Sequence, residues 1–366
     1  MGLIFSPLEI NGMRLPNRLV RSATFDGEAE PNGEVSEAQI GRYRDLAAGG
    51  VGLIVTCATC VSENGRFYPN QNRLDRDSSI AGHERLNDAV HRQGGKLVGQ
   101  LFHGGREVSR RTGRQGLGPS VVQDPRTPEL KYREITEAEI WQVVKDFGNA
   151  AARARKAGYD AVQIHGAHAF LFAQFLSPDS NRREDKWGGD LGNRLRLHRE
   201  VLADIRAKVG PDYPVMMKFG LRDGFDEGLT LDEGLQAAKV LAQAGCDCLE
   251  ISQGLRGTQE LETEFRTELQ RPEDRGYFRQ WAQAVKAAVD VPVIAVGGIR
   301  DMAMVEDILH GGEADLVAMC RPFICEPDLV DRWRRGDREP ARCVSCNRCK
   351  RELASFRPIQ CFLDSQ

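Results

Sequence analysis

No apolar run in these 366 residues approaches the roughly 18 needed to cross a bilayer. The amino terminus lacks the charged segment, apolar stretch and small-residue cleavage site of a secretory leader. Met1, Gly2 and Ser6 fit the loose myristoylation pattern, but Leu3, Ile4 and Phe5 read better as a first strand packed under the fold. An excess of either charge is also missing: 50 Lys and Arg stand against 53 Asp and Glu, for a formal net charge of -3. That balance excludes a nucleic-acid surface, a polybasic membrane patch and an acidic disordered chain. No G-x-G-x-x-G follows the first strands, which argues against an open dinucleotide-binding sheet. A cytoplasmic protein that handles small molecules is what these absences leave. In a reducing compartment its ten cysteines are expected as thiols, metal ligands or redox groups rather than as a disulfide framework.

Short apolar runs recur along the chain. Asn11-Gly12, between two strand-like pieces, predicts a hairpin. Strands are then expected at 18–22, 52–57, 96–101, 161–164, 215–219, 248–251, 293–296 and 316–319. Helical periodicity fills the gaps: 137–156 (with Thr136 as N-cap and Gly158 just past the end), 194–209, 231–244, 279–289 and 302–310. Strand and helix alternating eight times implies an α/β fold, a parallel (β/α)8 TIM barrel with an N-terminal β-hairpin. The barrel is expected over residues 1–335. Residues 336–366 form a short cysteine-rich extension that is not an independent domain. Two long connections, 103–135 and 253–278, are long enough to act as lids or specificity loops.

Barrel chemistry sits at the C-terminal strand ends, which turns the strand assignment into a set of candidates. Gly297-Gly298 is expected to open a helix and present backbone N–H groups to a phosphate, with Arg321 as a bidentate donor. The alternative is an ordinary tight turn beside a surface arginine. Lys218 ends the fifth strand, where a fixed cation stabilises an isoalloxazine ring that gains negative charge on reduction; the alternative is an ion pair at the barrel mouth. The Gln100 amide can donate to and accept from a uracil-like ring edge, and Ala58 offers a small side chain with a free N–H. His165 and His168 can together donate to one oxygen and so polarise a carbonyl conjugated to an alkene. A metal site or structural histidines are the alternatives.

The stretches PLEINGMRLPNRLVRSAT (7–24), GQLFHGGR (99–106), HGAHAFLFAQFLSPDSNRREDKWGGDLGNRLR (165–196), VGGI (296–299) and CRPFICEPDL (320–329) resemble the old yellow enzyme family, NADH:flavin oxidoreductases. The resemblance covers essentially the whole chain. It implies FMN at the top of the barrel, surrounded by Ser22, Ala23, Thr24, Phe25, Ala58, Gln100, Lys218, Gly254, Gly297, Gly298, Cys320 and Arg321. It implies that His165 and His168 hold a substrate oxygen over the ring, with NAD(P)H as reductant and an activated alkene as acceptor. Three departures stand out. Phe170 occupies the position of the usual proton-donating tyrosine, Phe25 that of a redox-active cysteine found in one branch, and Cys320 that of the usual glycine before the phosphate arginine.

Cys343, Cys346, Cys349 and Cys361 read C-x2-C-x2-C-x11-C. Four thiolates at this spacing can wrap a [4Fe-4S] cluster or, less favourably, a Zn ion; unmetallated thiols are the remaining reading. The spacing resembles that of 2,4-dienoyl-CoA reductase and trimethylamine dehydrogenase, larger relatives with further C-terminal domains. This sequence ends at Gln366, and no second nucleotide domain is expected. The leading expectation is an FMN-dependent ene-reductase of an α,β-unsaturated carbonyl. The alternatives are an amine dehydrogenase or N-demethylase passing electrons through the cluster to an external carrier, and a flavin-binding electron-transfer subunit. A homo-oligomer is expected by analogy; nucleic acid and membrane partners are not.

Overall fold

Eight segments rich in Val, Ile, Leu and Met become parallel strands because both of their faces are covered. They are β1 (Leu19–Arg21), β2 (Leu53–Val55), β3 (Leu97–Phe102), β4 (Ala161–Gly166), β5 (Val215–Arg222), β6 (Cys248–Gln253), β7 (Val293–Ala295) and β8 (Leu316–Met319). The computed structural model describes residues 2–123, 127–259, 262–267, 269, 271–354 and 357–365. Met1 and residues 124–126, 260, 261, 268 and 270 of the two long connections lie outside the described residues. Each strand pairs with its sequence neighbour, β8 pairs with β1, and the sheet closes on itself as the expected barrel.

Alternation along each strand sorts its residues into two layers. Val20, Leu53, Val98, Met216, Ile294 and Leu316 point inward and form one cluster. Ile10, Met13 and Leu15 of the hairpin belong to that same cluster and plug the barrel floor. The hairpin pairs Leu8–Ile10 with Met13–Leu15, and Asn11 and Gly12 turn it at φ 42° and 81°, the left-handed pair that a tight hairpin turn demands. Leu19, Ile54, Leu97, Val162, Met217 and Val317 point outward against the helices.

The surrounding helices are α1 (Glu37–Ala48), α2 (Ile80–His91), α3 (Glu137–Lys156), α4 (Arg196–Val209), α5 (Leu231–Gln243), α6 (Arg279–Lys286), α7 (Met302–His310) and α8 (Leu329–Arg334). Thr136 caps α3 through a reciprocal box with Glu139, and Thr230 caps α5 with Glu233 in the same way. Among the described residues no helix is long and apolar enough to cross a membrane.

Two expectations are corrected. Leu3–Phe5 is a single turn of 3-10 helix, not a strand. A closed barrel offers no edge to pair with, so the backbone bonds to itself (Phe5 N–H to Gly2 O, 3.1 Å) while Ile4 stays fully buried. Gly297-Gly298 does not open α7, whose N-cap is Asp301, its carboxylate accepting from Met304 N–H at 2.9 Å.

His83, His103 and His198 lie within the protein at 1% exposure or less. Burial pushes His83 and His103 down to about 4 and His198 to about 3. The unfolded chain takes up protons on these groups below about pH 6.5, whereas the folded chain does not, so stability falls as pH falls. The unfolding free energy should drop by about 1.4 kcal/mol per histidine per pH unit between pH 6 and pH 5. Urea unfolding at pH 7.5, 6.0 and 5.0 checks this; a flat profile would mean that the imidazoles are solvated.

Candidate functional site

At the C-terminal strand ends the structure holds a cavity of about 490 Å³, within the range of small-molecule sites. Its foundation is a buried ion pair. Strand register sets Lys218 opposite Glu250 on one neighbour and opposite His165 on the other. Lys218 Nζ donates to Glu250 Oε1 at 2.8 Å, with both side chains 5% exposed or less. Ser22 Oγ donates to the same oxygen at 2.6 Å and accepts from Lys218 Nζ at 2.8 Å. Gln163 Nε2 donates to the other Glu250 oxygen at 2.9 Å, and Gln100 Nε2 donates to Gln163 Oε1 at 2.7 Å. Burial works to raise the Glu250 carboxyl, but Lys218 together with the hydrogen bonds from Ser22 and Gln163 outweighs it and holds the group below the usual value. The ion-pair alternative for Lys218 is thus present in the structure, and it fixes the cation at the cavity wall. Among the described residues Gln100 Oε1 has no protein donor, leaving an acceptor for a ring imide.

The two histidines adjoin this floor with ring centroids 5.1 Å apart. Burial, reinforced by His168 and then Lys218, holds His165 well below the usual histidine value; burial and then Lys218 do the same to His168. Both are therefore neutral. His165 Nδ1 accepts from Ala167 N–H at 3.4 Å, which leaves its proton on Nε2. His168 Nε2 meets Ser252 Oγ at 2.8 Å, and its Nδ1 lies 3.9 Å from Glu264 Oε1, a carboxylate that favours the proton on Nδ1. Each imidazole so presents one N–H. His168 and Ala169 adopt left-handed φ values of 59° and 64°. Carbonyl groups at the end of β6 hold them there, since His168 N–H donates to Gln253 O and Ala169 N–H to Gly254 O, the residue just past the strand. Phe170 packs 5.0 Å from the His165 ring and 4.5 Å from Phe102 and brings no hydroxyl to the wall.

At the β7 and β8 ends, Gly297, Gly298, Cys320 and Arg321 join the same wall. A Cβ on Gly297 would stand 2.8 Å from Tyr277, and one on Gly298 2.9 Å from Leu269, both at positive φ; only glycine fits this cradle. Arg321 Nη1 donates to Arg266 O, Ser345 O and Asn347 Oδ1. Among the described residues its other nitrogens have no acceptor. Cys320 Sγ lies 2.9 Å from Thr24 Oγ1. A fixed cation at one end, a ring-edge amide, and a glycine cradle with a half-used arginine at the other end fit FMN.

Every expected cofactor and substrate residue lines this cavity except Gly254. Its N–H donates to Arg222 O, its carbonyl accepts from Ala169 N–H, and a Cβ there would meet Asp223 Oδ1 at 2.3 Å. This glycine serves the packing of two loops. The sequence reading missed Glu250 and Gln163, although a buried acid inside an apolar strand needs a partner on the next strand. It also missed Tyr68, which stacks on Phe25 at 4.0 Å, and the C-terminal extension itself. Ser345, Asn347, Cys349, Lys350 and Ile359 all line the cavity, and Ile359 N–H donates to Asp26 O at 2.8 Å.

Behind this wall Cys343, Cys346, Cys349 and Cys361 ring a second space of about 20 Å³, with Cys349, Arg321, Ile324 and Asn347 shared between the two. Among the described residues no three ligands gather closely enough for a single metal ion. Four thiols around one space are the donor set that a cuboidal cluster would take. Burial pushes Cys343 up, and Cys349 up to about 12.

Comparison with known proteins agrees with this geometry. The model of the NADH:flavin oxidoreductase / NADH oxidase family matches residues 3–339. A "metal reductase" of Desulforamulus reducens is 34% identical over 369 residues, covering 100% of this chain and 54% of the relative. A "NADH oxidase" of Thermoanaerobacter brockii is 36% identical over 350 residues, 94% of this chain and 52% of the relative. The chain thus spans about half the length of these two. Among solved structures, a 2-naphthoyl-CoA reductase in complex with 2-naphthoyl-CoA superposes with a TM-score of 0.89 at 28% identity, over 98% of this chain and 56% of that one. A family match across nearly the entire barrel, on a site built for a flavin, means that this chain belongs to the NADH:flavin oxidoreductase / NADH oxidase family, oxidoreductases that work with FMN and NAD(P)H.

Proposed function

We propose that this protein reduces an activated alkene, one conjugated to a carbonyl, at the expense of NAD(P)H. The observation that carries the reading is the pair of neutral imidazole N–H donors in the same cavity, His165 on the strand next to Lys218 and His168 just past its end. Bound FMN supplies hydride acceptance from reduced nicotinamide and hydride delivery to the alkene. The chain supplies the rest. Arg321 and the Gly297-Gly298 backbone hold the phosphate, Gln100 Oε1 takes the ring imide, and Lys218 fixes a cation where the reduced ring is negative. His165 Nε2–H and His168 Nδ1–H hold the carbonyl oxygen and strengthen their grip as it gains charge. Phe170 has no proton to give, so the α-carbon proton comes from water or another group.

A second reading rests on the four ringed thiols. A [4Fe-4S] cluster held by Cys343, Cys346, Cys349 and Cys361 would lie next to the cavity, whose wall includes Cys349, and would supply single-electron transfer to an external carrier after oxidation of an amine. Bleaching of the flavin by an amine and not by NAD(P)H favours that reading; bleaching by NAD(P)H and recovery with an enone favours the first.

His165→Ala and His168→Ala should each slow reoxidation of the reduced enzyme by an enone by roughly 100-fold while leaving reoxidation by oxygen unchanged; stopped-flow absorbance reads both. Lys218→Met, paired with Glu250→Gln so that no charge is stranded, should disfavour the reduced flavin by about 1–3 kcal/mol, measured as a lowered midpoint potential. An unchanged potential would mean that the ammonium does not face the ring. Anaerobically purified protein should carry about four irons per chain with matching sulfide, and Cys346→Ser should lose them without losing the flavin. Flavin without iron would remove the second reading.

A further inference from the structure

Besides Lys218 and Arg321, the cavity wall carries Arg106, Arg110, Arg111, Arg256 and Lys350, against two carboxylates among the described residues, Glu107 and Glu264. The chain as a whole is slightly acidic, with a formal charge of -3, so this excess of cations is local to the mouth. Both acids are engaged. Arg256 Nε reaches the Glu264 oxygens at 2.9 Å, and Arg110 Nε reaches Glu107 Oε2 at 2.9 Å.

Among the described residues Arg111 and Lys350 make no close ion pair, Glu264 acting on Lys350 only at longer range while it is bonded to Arg256. Both are exposed at the rim, and they come from separate elements, the connection after β3 and the cysteine-rich extension. Each rests on an aromatic face, with the Arg111 guanidinium 5.5 Å from the Tyr68 centroid and Lys350 Nζ 3.2 Å from that of Phe265. The Tyr68 ring stacks in turn on Phe25 at an interplanar angle of 12°. Flat rings line the approach, and cations lie on their faces.

We propose that the substrate is a flat conjugated molecule bearing a carboxylate, its carbonyl held by His165 and His168 and its carboxylate received at the mouth by Arg111 and Lys350. This rests on the reading of the site given above and adds the substrate's charge. The aromatic faces grip the conjugated body, and the carboxylate gains charge-assisted hydrogen bonds from two cations that make no close ion pair among the described residues. A cationic mouth also steers anions inward. The pyrophosphate of the nicotinamide dinucleotide is the other anion that could use these cations, and the test separates the two.

Oxidised holoprotein is titrated with 4-hydroxybenzoate and, separately, with its neutral counterpart 4-hydroxybenzamide, following the flavin absorbance. The carboxylate should bind at least about tenfold more tightly at low ionic strength, with the advantage shrinking as salt is added. In the double variant Arg111→Gln/Lys350→Gln that advantage should vanish, while the benzamide affinity and the concentration dependence of bleaching by NADH and NADPH stay as they were. Equal binding of the two probes overturns the proposal. So does a double variant that weakens the dinucleotide but not the carboxylate, which would assign the cations to the pyrophosphate. Either failure leaves flavin content, bleaching by reduced nicotinamide and reoxidation by a neutral enone intact, so it is distinguishable from failure of the ene-reductase reading.

Discussion

The rest of the site depends on one buried ion pair. Lys218 and Glu250 face each other across adjacent parallel strands with almost no contact with water, where a lone charge would be costly. Removing either partner strands the other, a loss of about 3–5 kcal/mol for a buried pair. The pair therefore tolerates only the register in which β5 and β6 end level. That same register places His165 beside Lys218. Through Ser22, Gln163 and Gln100 the constraint reaches β1, β4 and β3. Five strand ends are thus held to one height by a continuous set of hydrogen bonds, and the cofactor and substrate groups inherit that common level.

The loops above this floor are held by a second buried carboxylate. Asp223 accepts from Ser177 Oγ, Leu229 N–H and Leu255 N–H, and burial pushes it up to about 6. It ties the connection after β5 to that after β6, and the carbonyl groups at that junction, Gln253 and Gly254, keep His168 and Ala169 left-handed. The backbone strain at the second histidine is thus maintained by a loop that itself needs Gly254 to pass close to Asp223.

Much of this was legible in the residues. Apolar runs between helical patterns mark a barrel because only a sheet covered on both sides hides them, and the capping boxes at Thr136 and Thr230 are written in four consecutive residues each. The histidine pair and the glycine cradle fall at strand ends, where the fold places chemistry. What was not legible depends on register or on long-range return of the chain. Glu250 becomes informative only once β5 and β6 are aligned. Tyr68, Arg256 and Glu264 sit on connections whose paths no periodicity describes. Leu3–Phe5 carried a strand-like pattern but found no free edge. The cysteine spacing revealed a ring of thiols without revealing that the same segment walls the flavin cavity.

The hairpin at the barrel floor limits traffic through the molecule. With Ile10, Met13 and Leu15 filling the lower interior, a reactant cannot arrive from beneath while another occupies the top. Anything that reaches the cavity therefore comes from the end where the strands finish, and every approach to the site is controlled by the loops around that one mouth. Three apolar side chains at the end of the barrel remote from the cavity make it a blind pocket rather than a passage.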